Sequence, residues 1–190
     1  MAANSFVAQS IGEFLEHLAS EAPTPGGGSV AALTGALAAG LGQMACTLTL
    51  GRKKFADVEE PVRQLATRLA KTGGMLRRLM DEDAAAYSTL HTAFKLDKSD
   101  ATRARQIEQA ASVAAQVPLE TATVSRSVLR DLAALREIGN PNLSADMEAA
   151  THLAQAARLA AAANVRANLP LLPAESAILI EKQLQELLRD

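Results

Sequence analysis

Residues 23–29 read PTPGGGS, and the twenty-one residues after them, VAALTGALAAGLGQMACTLTL, hold no charged side chain. This pairing constrains the fold more than any other feature. Two prolines and three successive glycines exclude regular structure from the loop. The run at 30–50 is long enough to cross a membrane. It also carries Thr34, Gln43, Thr47 and Thr49, and its many alanines drive membrane insertion weakly. Small residues at Ala31, Gly35 and Ala39, and again at Gly42 and Cys46, let another helix come close. A helix that is apolar on every side is a buried one. The run is therefore expected to form the central helix of a bundle or a dimer core, from Ser29 to near Leu50, and not a membrane span.

The rest of the chain reads as helix. Its 48% hydrophobic content is mostly alanine and leucine, strong helix formers. No alternating run of β-branched residues is long enough to make a sheet. Ser10 and Glu13 form a capping box that opens a short amphipathic helix. A third helix is expected from near Asp57 to Lys95, with Pro61 in its first turn and a weak point at Gly73–Gly74. Ser99 or Asp100 would cap a fourth helix, kinked or broken at Pro118 and stopped at 139–141 (GNP). Ser144 would cap a fifth helix to near Leu169, and a last amphipathic helix would follow Pro173. The expectation is an all-α bundle of long helices in one domain, residues 1–190. A net charge of −2 gives no support for nucleic-acid binding. Cys46 is the lone cysteine, so neither a disulfide framework nor a metal site is expected. The N-terminus lacks a basic segment followed by an apolar core, which points to the cytoplasm.

Asp83 is the best candidate for chemistry. In the triplet 81–83 (DED), Asp81 follows Arg77 by four residues and Glu82 follows Arg78, ordinary helical pairs. Asp83 has Leu79, Met80, Ala86 and Tyr87 around it and no local cation. A carboxyl on an apolar stripe is desolvated, so its pKa should rise and it can be held as a proton donor. The alternative is a buried carboxyl bonded to a distant cation. Asp146 lies in the first turn of the fifth helix, where the helix dipole alone would explain it. Asn164 and Asn168, four apart, could satisfy backbone groups or read a heterocycle. Arg52, Lys53 and Lys54 stand at a helix C-terminus, favoured there by the dipole or placed to dock an anionic substrate tail. Pro25, Gly26, Gly27, Gly28 and Ser29 would bring backbone N–H groups to a small polar ligand. No phosphate-loop motif is present.

PTPGGGSVAAL, GRKKF, DEDAAAY, VPLETA, GNPNLSAD and NVRANL occur in this order. Together they resemble the cyclodeaminase/methenyltetrahydrofolate cyclohydrolase family, from about Phe14 to Leu169. The resemblance implies an all-α homodimer acting on tetrahydrofolate with a one-carbon unit at N5 or bridging N5 and N10, with no further cofactor. It places the family's acid on Asp83, its basic segment on Arg52, Lys53 and Lys54, and its Ser-Asp pair on Ala145 and Asp146. The implied activity is methenyltetrahydrofolate cyclohydrolase. Formiminotetrahydrofolate cyclodeaminase is the alternative, and a non-catalytic helical folate-binding or interaction protein is a further one.

Overall fold

The computed structural model describes residues 5–189. Residues 1–4 and 190, which the single-domain and N-terminal readings include, lie outside them. Six α-helices follow in order: α1 (Ile11–Leu18), α2 (Gly27–Thr47), α3 (Glu59–Phe94), α4 (Arg103–Ile138), α5 (Ser144–Asn168) and α6 (Ala174–Leu188). No strand occurs among the described residues. The all-α expectation holds.

Helices α2 to α5 run up and down as a four-helix bundle. α2 packs on α3 and α5, α4 packs on the same two, and α3 and α5 stand at opposite corners. Small residues make the core of α2: Ala31, Ala32, Ala38, Ala39 and Cys46 are wholly buried. A Cβ on Gly42 would sit 2.8 Å from Leu132 Cδ2 and 2.9 Å from Leu69 Cδ1. Gly42 therefore sets how closely three helices meet, which no larger residue allows without displacing a leucine.

Only one side of α2 is covered, unlike the all-round burial expected. Leu37 and Met44 are 53% and 36% exposed on its outer face. Thr34 and Thr47 donate their hydroxyls to the carbonyls of Val30 and Gln43, so that face shows little free polarity. α2 is long and apolar enough to cross a membrane, with a mean hydropathy of 1.4. Its inner side is nonetheless built into the bundle core.

Several helix ends differ from expectation. α2 begins at Gly27 rather than Ser29 and ends at Thr47. α3 is continuous through Gly73–Gly74, because α2 supports it there: a Cβ on Gly73 would lie 3.3 Å from Gln43 and 3.4 Å from Ala39. α4 is likewise one helix across the fully buried Pro118. Packing on both flanks outweighs the single hydrogen bond the proline removes. Asp100 accepts from the N–H and hydroxyl of Thr102 in the turn before α4, whose first residue is Arg103. Ser144 is the first residue of α5, not its cap; Asn140 caps the preceding 3-10 turn by accepting from the Asn142 N–H at 3.1 Å. The capping box at Ser10 and Glu13 is present as expected.

Candidate active site

At one end of the bundle, the start of α2 meets the second half of α3. A Cβ built on Gly28 would lie 1.9 Å from Asp83 Oδ1 and 2.5 Å from its Cγ. The Asp83 carboxyl thus occupies the space a side chain would fill. Gly27 and Gly28 serve close approach and not unusual backbone angles, since the positive φ among the described glycines is at Gly51, whereas a Cβ on Gly26 would meet nothing within 4 Å. Gly26, the N-cap of α2, offers no side-chain bond to the free N–H groups of the first turn. Asp83 takes that place from across the bundle, 54 residues away, and Ser29 Oγ lies 3.0 Å from its Oδ2.

Burial pushes the Asp83 carboxyl above the usual carboxylate range, and the Ser29 hydroxyl and backbone N–H oppose this in part. The hydroxyl also lies 3.0 Å from the Met80 carbonyl. Ser29 has one proton and cannot donate to both neighbours at once. When Asp83 is protonated it donates to Ser29 Oγ, and Ser29 donates to Met80. When Asp83 is ionised, Ser29 turns its proton to the carboxylate. The pair accommodates both charge states without moving a heavy atom.

The triplet separates as expected, for a different reason at Asp81. Among the described residues no ion pair joins Arg77 to Asp81 or Arg78 to Glu82. Asp81 instead accepts from the Ser5 hydroxyl and from the Phe6 N–H, the latter at 2.8 Å, tying the N-terminal turn to α3.

Asp83 opens into a pocket of about 180 Å³. Pro23, Thr24 and Gly26 to Gly28 form one wall, and Tyr87, one turn beyond Asp83, another. Asn164 and Asn168 of α5 and Ala114 of α4 close it. Asn164 donates to the Ala160 carbonyl at 2.9 Å and lies 3.1 Å from the Cβ position of Gly27. Tyr87 is 44% exposed and stacks on His91 with ring centroids 6.0 Å apart.

The structure thus gathers Gly26, Gly27, Gly28, Asp83 and Asn164. Pro25 is buried and turned from the pocket, and Ser29 acts through Asp83, not on the cavity. Sequence reasoning missed Tyr87 and Thr24; the i,i+4 spacing from Asp83 was the available signal for Tyr87. Arg52, Lys53, Lys54 and Asp146 are not in this pocket. α2 separates the basic segment from it by about 30 Å, and the 18 residues between Asp146 and Asn164 put Asp146 about 27 Å away along α5.

A model of the Formiminotransferase-cyclodeaminase family matches residues 10–186. The chain belongs to this family. It is 38% identical over 167 residues to the methenyltetrahydrofolate cyclohydrolase of Methylorubrum extorquens, covering 84% of this chain and 79% of that protein. It is 30% identical over 169 residues to the formimidoyltransferase-cyclodeaminase of Mus musculus, covering 87% of this chain and 31% of that longer protein. The crystal structure of formiminotetrahydrofolate cyclodeaminase from Thermotoga maritima superposes with a TM-score of 0.88 at 28% identity, over 95% of this chain and 88% of that one.

Proposed function

We propose that this chain is a methenyltetrahydrofolate cyclohydrolase, hydrolysing 5,10-methenyltetrahydrofolate to 10-formyltetrahydrofolate with no cofactor beyond that substrate. The observation that carries the reading is a carboxyl with a raised pKa, held by Ser29 over Gly28 in a pocket, in a chain 38% identical to a cyclohydrolase. Water adds to the cationic carbon bridging N5 and N10 and releases one proton to solvent. Protonated Asp83 then donates to N5 as the C–N5 bond breaks and its electron pair goes to nitrogen. The carbon becomes the formyl group on N10, and its hydroxyl proton returns to Asp83. Ser29 follows the carboxyl through both states.

The pocket is below the usual range of roughly 300–1,000 Å³ for a drug-sized ligand, so it suits the pterin head while the remainder of the folate lies outside. An anionic tail needs cations, and those of this chain's basic segment are at the far end. A second copy resolves this. The exposed apolar face of α2, centred on Leu37 and Gly40, can pair with itself about a two-fold axis. Antiparallel apposition there brings the partner subunit's Arg52, Lys53 and Lys54 beside this protomer's loop 23–26.

Cyclodeaminase activity is the second reading, favoured by the match to the Thermotoga maritima structure. There N10 attacks the N5-formimino carbon, and ammonia leaves with a proton from Asp83. Assays of the pure protein with methenyltetrahydrofolate and with formiminotetrahydrofolate decide. Hydrolysis of the first alone supports the proposal, ammonia release from the second alone replaces it, and turnover of neither refutes both.

A further inference from the structure

One amide in the pocket has its orientation fixed by a proline on another helix. Pro118 has no N–H, so the Ala114 carbonyl, four residues earlier in α4, lacks its helical donor. Asn168 Nδ2 donates to that carbonyl at 2.9 Å and to the Asn164 carbonyl at 3.0 Å. Both partners are carbonyl oxygens, which only accept. The amide nitrogen must therefore face them, and flipping the group would set oxygen against oxygen twice. Asn168 Oδ1 is what remains. Among the described residues no hydrogen bond reaches it, and Asn168 lines the same pocket as Asp83.

We propose that Asn168 Oδ1 is a fixed acceptor that determines ligand specificity by taking a hydrogen bond from the 2-amino group of the pterin. This rests on the folate reading above. Asp83 comes from α3 and Asn168 from α5, at opposite corners of the bundle. With N5 turned toward Asp83, the pyrimidine edge of the bicycle reaches the opposite wall. That edge carries the 2-amino donors. An acceptor that cannot flip discriminates better than a free amide, which could turn its nitrogen to a wrong ligand.

The test measures dissociation constants for tetrahydrofolate and for its 2-desamino-2-methyl analogue. The wild type should bind the analogue about 2- to 12-fold more weakly, the loss of one neutral hydrogen bond. Asn168→Ala should bind tetrahydrofolate more weakly by a similar factor and the analogue as the wild type does, so that the preference disappears. Asn168→Ser replaces it should the alanine variant fail to fold. Equal binding of both ligands by the wild type overturns the proposal, as does a preference that survives in the variant. Either result leaves the folate reading standing. A wild-type protein that binds neither ligand removes the folate reading, and this inference with it.

Discussion

Gly28→Ala adds one methyl group in the first turn of α2. Its backbone is helical, so alanine meets no conformational barrier, and helix propensity favours it by up to about 1 kcal/mol. The new Cβ, however, lies 1.9 Å from Asp83 Oδ1 and 2.8 Å from Oδ2. Ordinary contact begins at 3.4 Å, so the carboxyl must retreat by roughly 1.5 Å, beyond the ~1 Å displacement that can cost 10²-fold in rate. Retreat breaks the bond to Ser29, worth about 0.5–1.5 kcal/mol, and strains the side chain by a similar amount. The two sides nearly offset, leaving a net loss of roughly 0–2 kcal/mol, or a Tm lower by at most about 8 °C in a chain of this size. Turnover should nonetheless fall by about 10²-fold or more. Steady-state kinetics beside thermal unfolding reads both effects. Gly74→Ala is the control: nothing lies within 4 Å of its Cβ, so it should gain stability slightly and keep its activity. If Gly28→Ala folds and turns over within threefold of the wild type, the carboxyl is not positioned as argued.

Asp83→Asn should lower kcat by about 10²-fold or more with the fold intact, whereas exposed Glu82→Gln should change little; retained turnover in Asp83→Asn rules out its role as acid. The raised pKa of Asp83 gives a sign for pH. Its protonated form is favoured in the fold, so that stability is full at low pH and is lost as pH rises through the raised value. Enzymic kcat/KM, corrected for uncatalysed hydrolysis, should fall over the same window. Ser29→Ala removes a group that lowers this pKa, so the alkaline limb should move to higher pH; movement to lower pH contradicts the Ser29–Asp83 arrangement. Lys53→Ala with Lys54→Ala should raise KM more than it lowers kcat, most for a polyglutamylated folate, and added salt should reproduce part of the change; an unaltered KM leaves these lysines with only a helix-end role. Gly35→Leu should cost about 1–3 kcal/mol or more in chemical denaturation, because even its Cβ would lie 3.1 Å from Leu76 and Ser125; unchanged stability would show that the core yields there.

The helices were legible in the sequence because their signals are local: the capping box at Ser10, the stop at Gly139, the apolar stripe under Asp83. The glycine loop was expected to face a small polar ligand and does line the pocket beside Asp83, although it was not legible that Gly28 yields its side-chain space to Asp83. That contact joins residues 54 apart and depends on the register of α2 against α3. Pro118 shows the same limit. Its ring signals a break when read alone, but the buried setting in α4 and the Asn168 amide make the helix continue. The basic segment was legible as a cluster and not as a location, since spacing along a chain does not say which end of a bundle a residue reaches. Asp81 looked like a surface ion-pair partner because the N-terminal turn that it holds is remote in sequence.

The contact between Asp83 and the start of α2 makes the acid a vernier on the bundle. A slip of α2 along α3 by one residue, about 1.5 Å, leaves the helices, their hydrogen bonds and most of the apolar burial intact. It nevertheless carries Ser29 off the carboxyl and reopens the space above Gly28. The placing of Asp83 against Ser29 and Gly28 is therefore set by one seam of small residues, in which Gly35, Gly42 and Gly73 pack closely against their neighbours. A chain whose helicity is unchanged can still be out of adjustment at that seam, so circular dichroism can stay constant while turnover disappears.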